Sequence, residues 1–211
     1  MGNLIHFILH LDTYIELFIN NYGILTYLIL FFIIFIETGL VITPFLPGDS
    51  LIFAAAAFCA KGELNIFLLA IILYLAAILG DTANYFIGKG IGHKLTNSRF
   101  IKKKHLKATE DFYAKYGGKA VIIGRFVPIV RTFVPFVAGI GIMKYRKFIS
   151  FNVIGGVLWV TIISCIGFFF GNIPFVKDHF SLVTIAIILI SVMPAIVTLI
   201  NERRKSAKLK K

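Results

Sequence analysis

The chain has 211 residues, 58% of them hydrophobic and 15% charged, and a formal net charge of +12. Soluble domains run at roughly 45 to 50% apolar, so this composition excludes an ordinary soluble protein and points to an integral membrane protein. The positive charge does not indicate nucleic acid, because the basic residues gather beside apolar runs: nine between Lys89 and Lys119, and six between Arg203 and Lys211. Such clustering predicts that this loop and tail lie in the cytoplasm, against anionic lipid.

Residues 1–21 come first. Leu4, Ile8, Leu11, Ile15 and Phe18 recur at helical spacing, which predicts an amphipathic helix in the membrane interface. Asp12 and Glu16 interrupt the apolar run and no basic leader precedes it, so it does not read as a cleaved signal peptide.

Residues 22–60 form two apolar arms around the stretch ETGLVITPFLPGDS, which holds Glu37, Pro47, Gly48 and Asp49. Each arm falls short of a hydrocarbon core of about 30 Å at about 1.5 Å per helical residue. The pattern predicts a re-entrant hairpin. Proline removes a backbone donor and glycine permits unusual dihedrals, and irregular backbone at membrane depth is tolerated only against protein or a watery cavity. Residues 64–88 are long enough to span. They carry Asp81 and Asn84 near one end, where a solvated helix end and a cavity lining are both open readings.

The basic loop occupies residues 89–119, and a second re-entrant hairpin is predicted over 120–143. Its arms, 120–123 and 137–142, flank Pro128 and Pro135. A second span follows at 148–171, with Trp159, Gly155, Gly156 and Gly167 read as packing features. A C-terminal span at 178–200 and a basic cytoplasmic tail at 201–211 complete the chain. Cys59 and Cys165 lie in separate apolar runs and are read as packing residues, with no zinc or redox motif.

Sliding the sequence by a constant offset pairs Glu37 with Arg125 and Pro47 with Pro135, a weak internal repeat. The predicted fold is therefore an all-α membrane protein. It is an inverted repeat of two opposed re-entrant hairpins, each followed by a transmembrane helix, with a C-terminal transmembrane helix and the N-terminal interfacial helix added. The transport unit covers 22–177. Paired interrupted segments of this kind point to a midplane substrate site.

Glu37, Asp49, Arg125 and Arg131 fall within or beside the two breaks. A charge at the bilayer centre costs about 2.5 to 3.5 kcal/mol on insertion scales, so such residues face a bundle interior and mark a pathway or relay. On the residues alone, Glu37 with Arg125 or Asp49 with Arg131 are candidate buried braces. The functional alternative assigns lipid phosphate to Arg125 and Arg131, whose planar donor forks stay charged when desolvated, and proton coupling to Glu37 and Asp49. Pro47, Gly48, Asp81, Asn84, Pro128 and Pro135 are cavity or structural candidates. No nucleophile–base pair, metal-ligand spacing or hydrolase motif is present, so neither an enzyme nor a cofactor or metal is expected.

Four stretches carry a family resemblance: Glu37 before FLPGDS, GDTANYFIGKGIG at 80–92, GRFVPIVRTFVPFVAG at 124–139, and GGVLW at 155–159. Together they resemble the DedA family, also described through its VTT or SNARE-associated domain, over roughly residues 20–175. The resemblance implies a multi-pass protein of the bacterial cytoplasmic membrane with two opposed re-entrant hairpins. It implies transport of undecaprenyl phosphate or a phospholipid such as phosphatidylethanolamine between leaflets, linked to the proton-motive force. The family's required acids then fall on Glu37 and Asp49, and its required arginines on Arg125 and Arg131. Expected partners are anionic phosphate lipids and protons; a homo-oligomer is compatible with the sequence, and nucleic acid is not expected. The alternative function is a proton-coupled small-ion or osmolyte antiporter.

Overall fold

The computed structural model describes residues 22–40, 48–96, 103–174 and 176. The predicted N-terminal interfacial helix, Pro47 and the tip of the first break, the C-terminal span and the tail lie outside the described residues. What is described is helical, with no strand among the described residues. The helices are α1 Ile24–Gly39, α2 Gly48–Lys61, α3 Ile66–Thr96, α4 Lys103–Tyr116, α5 Ala120–Gly124, α6 Pro128–Val137 and α7 Tyr145–Gly171. Among the described residues two stretches are long and apolar enough to cross a membrane, Ile66–Gly90 within α3 and the whole of α7. At about 1.5 Å per residue, the 16-residue α1 and 14-residue α2 reach only about 24 and 21 Å.

Local chemistry sets the helix boundaries. Asn65 caps α3: its side-chain oxygen accepts from the N–H groups of Phe67 and Leu68 at 3.0 and 3.1 Å. The Asn65 N–H in turn donates to the Tyr27 hydroxyl at 2.8 Å, tying this corner to α1. Pro128 opens α6, where a missing N–H costs nothing.

The second break differs from its predicted form. The chain leaves helix at Arg125–Val127, and Pro135 lies inside α6. A proline there deprives the preceding turn of a donor. Downstream, Ala138–Ile142 widens into a π turn closed by the Met143 N–H on the Ala138 carbonyl at 3.2 Å. Pro128 thus opens α6, while Pro135, which the offset paired with Pro47 and the predicted hairpin placed between its arms, lies inside the helix. The basic loop is also more ordered than predicted, since α3 continues to Thr96 and α4 forms within it.

The short helices divide their packing between the long ones. Helix α1 lies along α3 and α2 along α7, whereas α5 lies on α7 and α6 on α3. The α2–α7 contact is a close one: a Cβ at Gly167 would run into the Phe53 carbonyl of α2, as expected where small residues let membrane helices approach. Two apolar clusters result. One gathers Ile34, Ile52, Leu69, Leu73 and Val160, the other Tyr85, Val121, Val134, Phe136 and Phe148. Along α3, the polar residues Asp81 and Asn84 fall between the last member of the first cluster, Ala77, and the first of the second, Tyr85.

Candidate functional site

The carboxylates and guanidiniums meet in that polar layer. Arg131, on the first turn of α6, donates through Nη1 to Asp49 Oδ1 at 2.8 Å and through Nη2 to Glu37 Oε1. Glu37 comes from the last turn of α1 and Asp49 from the first turn of α2, so one arginine bridges both sides of the first break. Burial separates the two acids: the Glu37 side chain is 4% exposed and that of Asp49 is 54% exposed. Gly48 makes the approach possible, because a Cβ there would overlap the Glu37 carboxylate.

Arg125 stands at the second break and takes different partners. Its Nη2 donates to Asp81 Oδ2 at 2.5 Å and Asn152 Oδ1 at 2.6 Å, and approaches the Ala77 carbonyl at 3.4 Å. Both ion-pair side chains are almost fully buried, at 5% for Arg125 and 7% for Asp81. Asn152 is fixed by donating to the Ile78 carbonyl at 3.0 Å. The cluster therefore ties α3 and α7 to the end of α5.

Trp159 separates the two arginines. Its ring centroid is 5.7 Å from Arg125 Cζ and 5.0 Å from Arg131 Cζ, both within cation–π range. Its indole N–H donates to Asp49 Oδ1 at 3.0 Å. Asn84, fully buried, donates to the Thr38 carbonyl at the end of α1 at 3.1 Å and to the Thr132 carbonyl of α6 at 2.9 Å. A small pocket lined by Thr38, Asp81, Arg125, Arg131, Thr132 and Trp159 lies among these groups. Three carboxylates face two guanidiniums here. Among the described residues no group of three or more His, Cys, Asp or Glu side chains is placed to hold a metal ion.

The VTT domain family model matches residues 46–169, a stretch that includes Asp49, Asp81, Arg125, Arg131, Asn152 and Trp159. Protein DedA of Escherichia coli K12 is 47% identical over 210 residues, covering 97% of this chain and 96% of the relative. This chain belongs to the DedA family. An uncharacterized membrane protein of Mycobacterium tuberculosis is 43% identical over 79% of the DedA-family chain and 75% of its own length. Inner membrane protein YghB of E. coli K12 is 37% identical over 72% of this chain and 71% of the relative. No solved structure matches.

In this DedA-family member, the structure brings Glu37, Asp49 and Arg131 together and places Arg125 with Asp81. The pairing of Asp49 with Arg131 occurs. That of Glu37 with Arg125 does not, because Asp81 and Asn152 already hold Arg125 and Arg131 holds Glu37. Asp81 and Asn84 are buried within the α3 span and not at a solvated end. Asn152, Thr38 and Thr132 were not among the sequence candidates, and Trp159 stood there only as packing. An asparagine inside an apolar 27-residue helix is itself a signal, since an amide in lipid needs partners.

Proposed function

We propose that this DedA-family chain moves a phosphate-bearing lipid between membrane leaflets, passing the headgroup through the polar layer while the tails stay in lipid. Undecaprenyl phosphate and a phospholipid such as phosphatidylethanolamine are the candidate cargoes. The supporting observation is a guanidinium fork at a pocket in the polar layer, its Nη1 side engaged by a carboxylate that is half open to the surroundings. Phosphate oxygens suit that fork.

On this reading the two interrupted segments are opposed re-entrant hairpins, in line with their exchanged packing partners, α1 and α6 on α3 and α2 and α5 on α7. The basic loop and tail face the cytoplasm. A proton on Glu37 or Asp49 weakens its hold on Arg131 and biases one of two arrangements of the hairpins, as differential binding requires. The chain works as a transporter and not as an enzyme. Reconstituted in vesicles, it should accelerate leaflet exchange of labelled undecaprenyl phosphate, and Arg131→Ala should not. Equal rates for wild type and variant would remove the basis of the proposal.

The three acids facing two guanidiniums favour one second reading, a proton-coupled small-ion or osmolyte antiporter, because a surplus carboxylate suits a bound proton or cation. Proton flux across sealed vesicles separates the two. Flux that needs no phosphate lipid supports the antiporter.

A further inference from the structure

Two donors from different helices converge on one oxygen. Arg131 Nη1 on α6 and Trp159 Nε1 on α7 both reach Asp49 Oδ1, at 2.8 and 3.0 Å. Convergent charged and neutral N–H donors form an anion cradle, and a carboxylate oxygen is chemically close to a phosphate oxygen. The cradle is interior: the Arg131 side chain is 11% exposed and Trp159 2%. Its occupant is not, with 54% of the Asp49 side chain exposed.

The other amino group of the same guanidinium holds Glu37, only 4% exposed. The two acids therefore differ in what their release would cost. Freeing Glu37 strands a buried charge, whereas Asp49 already has open surroundings on its far side and can leave without that penalty. Asp49 also rides on the first turn of α2, a helix packed along α7, so its release removes these two ties between that turn and the donors on α6 and α7.

We propose that Asp49 is an internal stand-in for the substrate's phosphate: it fills the Arg131–Trp159 cradle when no substrate is bound, and a phosphate oxygen displaces it. This deepens the phosphate-lipid reading and rests on it. Substrate binding and the loss of these two ties on α2 become one event. A self-occupied cradle also keeps the Nη1 side of Arg131 from standing without an acceptor between transport cycles, while Glu37 holds the other side.

Trp159 is the sole tryptophan of the chain, so its emission reports on the cradle directly. The full chain in nanodiscs is titrated with inorganic phosphate and, separately, with a short-chain lipid monophosphate, chloride serving as the ionic-strength control. Wild type should give a saturable change in emission. Asp49→Ala, which loses a charge-assisted competitor worth about 1.5–3 kcal/mol, should bind at least about tenfold more tightly, and Asp49→Asn, which keeps a neutral acceptor but loses the charge, should also bind more tightly than wild type. Arg131→Gln should not respond. Response to inorganic phosphate alone marks a free-phosphate site, and response to the lipid alone marks a headgroup site. Should Asp49→Ala fail to fold, Asp49→Asn carries the comparison. Equal affinities for wild type and Asp49→Asn overturn the stand-in while leaving the phosphate reading intact. No response to either probe from wild type and a folded Asp49→Asn overturns both.

Discussion

Removing the carboxylate of Asp81 tests whether Arg125 is a brace between helices. In Asp81→Ala the guanidinium, 5% exposed, keeps Asn152 Oδ1 at 2.6 Å and the Ala77 carbonyl at 3.4 Å but loses its paired anion. Breaking a buried pair from one side costs about 3–5 kcal/mol, a large share of the roughly 5–15 kcal/mol that holds a typical protein folded. Asp81→Asn keeps an oxygen acceptor in the same place and loses only the charge, so it should cost less than Asp81→Ala. Arg125→Gln strands Asp81 in turn. The double variant Asp81→Asn with Arg125→Gln leaves two neutral amides that can bond each other, so it should be more stable than the sum of its single variants by at least about 1 kcal/mol. Unfolding in mixed micelles, followed by Trp159 emission, gives all four values. If the single effects simply add to within about 0.5 kcal/mol, the two side chains do not act as a pair and the brace argument fails.

Three further outcomes follow from other contacts. Trp159→Phe keeps an aromatic face for Arg125 and Arg131 and loses only the N–H to Asp49, whereas Trp159→Leu loses both cation–π contacts, about 0.5–2 kcal/mol each. Leaflet exchange should therefore fall several-fold further in the leucine variant, and equal rates would contradict a role for the ring. The Tyr113 hydroxyl, buried, donates to the Val134 carbonyl of α6 at 3.0 Å, so Tyr113→Phe should cost about 0.5–1.5 kcal/mol and speed hydrogen exchange in α6. Burial holds that hydroxyl's pKa above its ordinary value of about 10, so its stabilisation is complete at neutral pH and is lost only as pH climbs above 10; Tyr113→Phe should abolish this alkaline loss in a pH series of thermal unfolding. Gly167→Val pushes α2 off α7 at the Phe53 carbonyl and should lower Tm, by an overpacking cost of about 1–3 kcal/mol.

What the sequence revealed and what it hid follow from the range of the forces involved. The two long spans, the short first arms and the break at Gly48 were legible because each is a local matter of hydropathy, length and glycine or proline chemistry. Four of the five charged site residues, Glu37, Asp49, Arg125 and Arg131, were legible too, since a charge in an apolar context costs enough to demand a reason. Their pairing was not, because it depends on which helices pack together. An offset of equal spacing joined Glu37 to Arg125, yet α1 and α6 share the face of α3 that places Glu37 beside Arg131, while α5 on α7 turns Arg125 toward Asn152. Pro135 misled for a related reason. A proline reads as a break in isolation, but α6 runs on through Pro135 to Val137, and Val127 and Pro128 mark the true helix start.

The division of partners gives the two arginines different characters, which their shared residue type conceals. Arg125 is held by a buried acid, a buried amide and a backbone carbonyl, and none of these can leave without stranding a charge or a dipole. Arg131 is held on one side by a buried acid and on the other by one that is half exposed. A site that must bind and then release an anion needs one firm contact to keep the cation in place and one loose contact to give way. Only Arg131 has both, so on the proposed phosphate-lipid reading exchange falls to α6, with α5 and α7 as the frame against which it works.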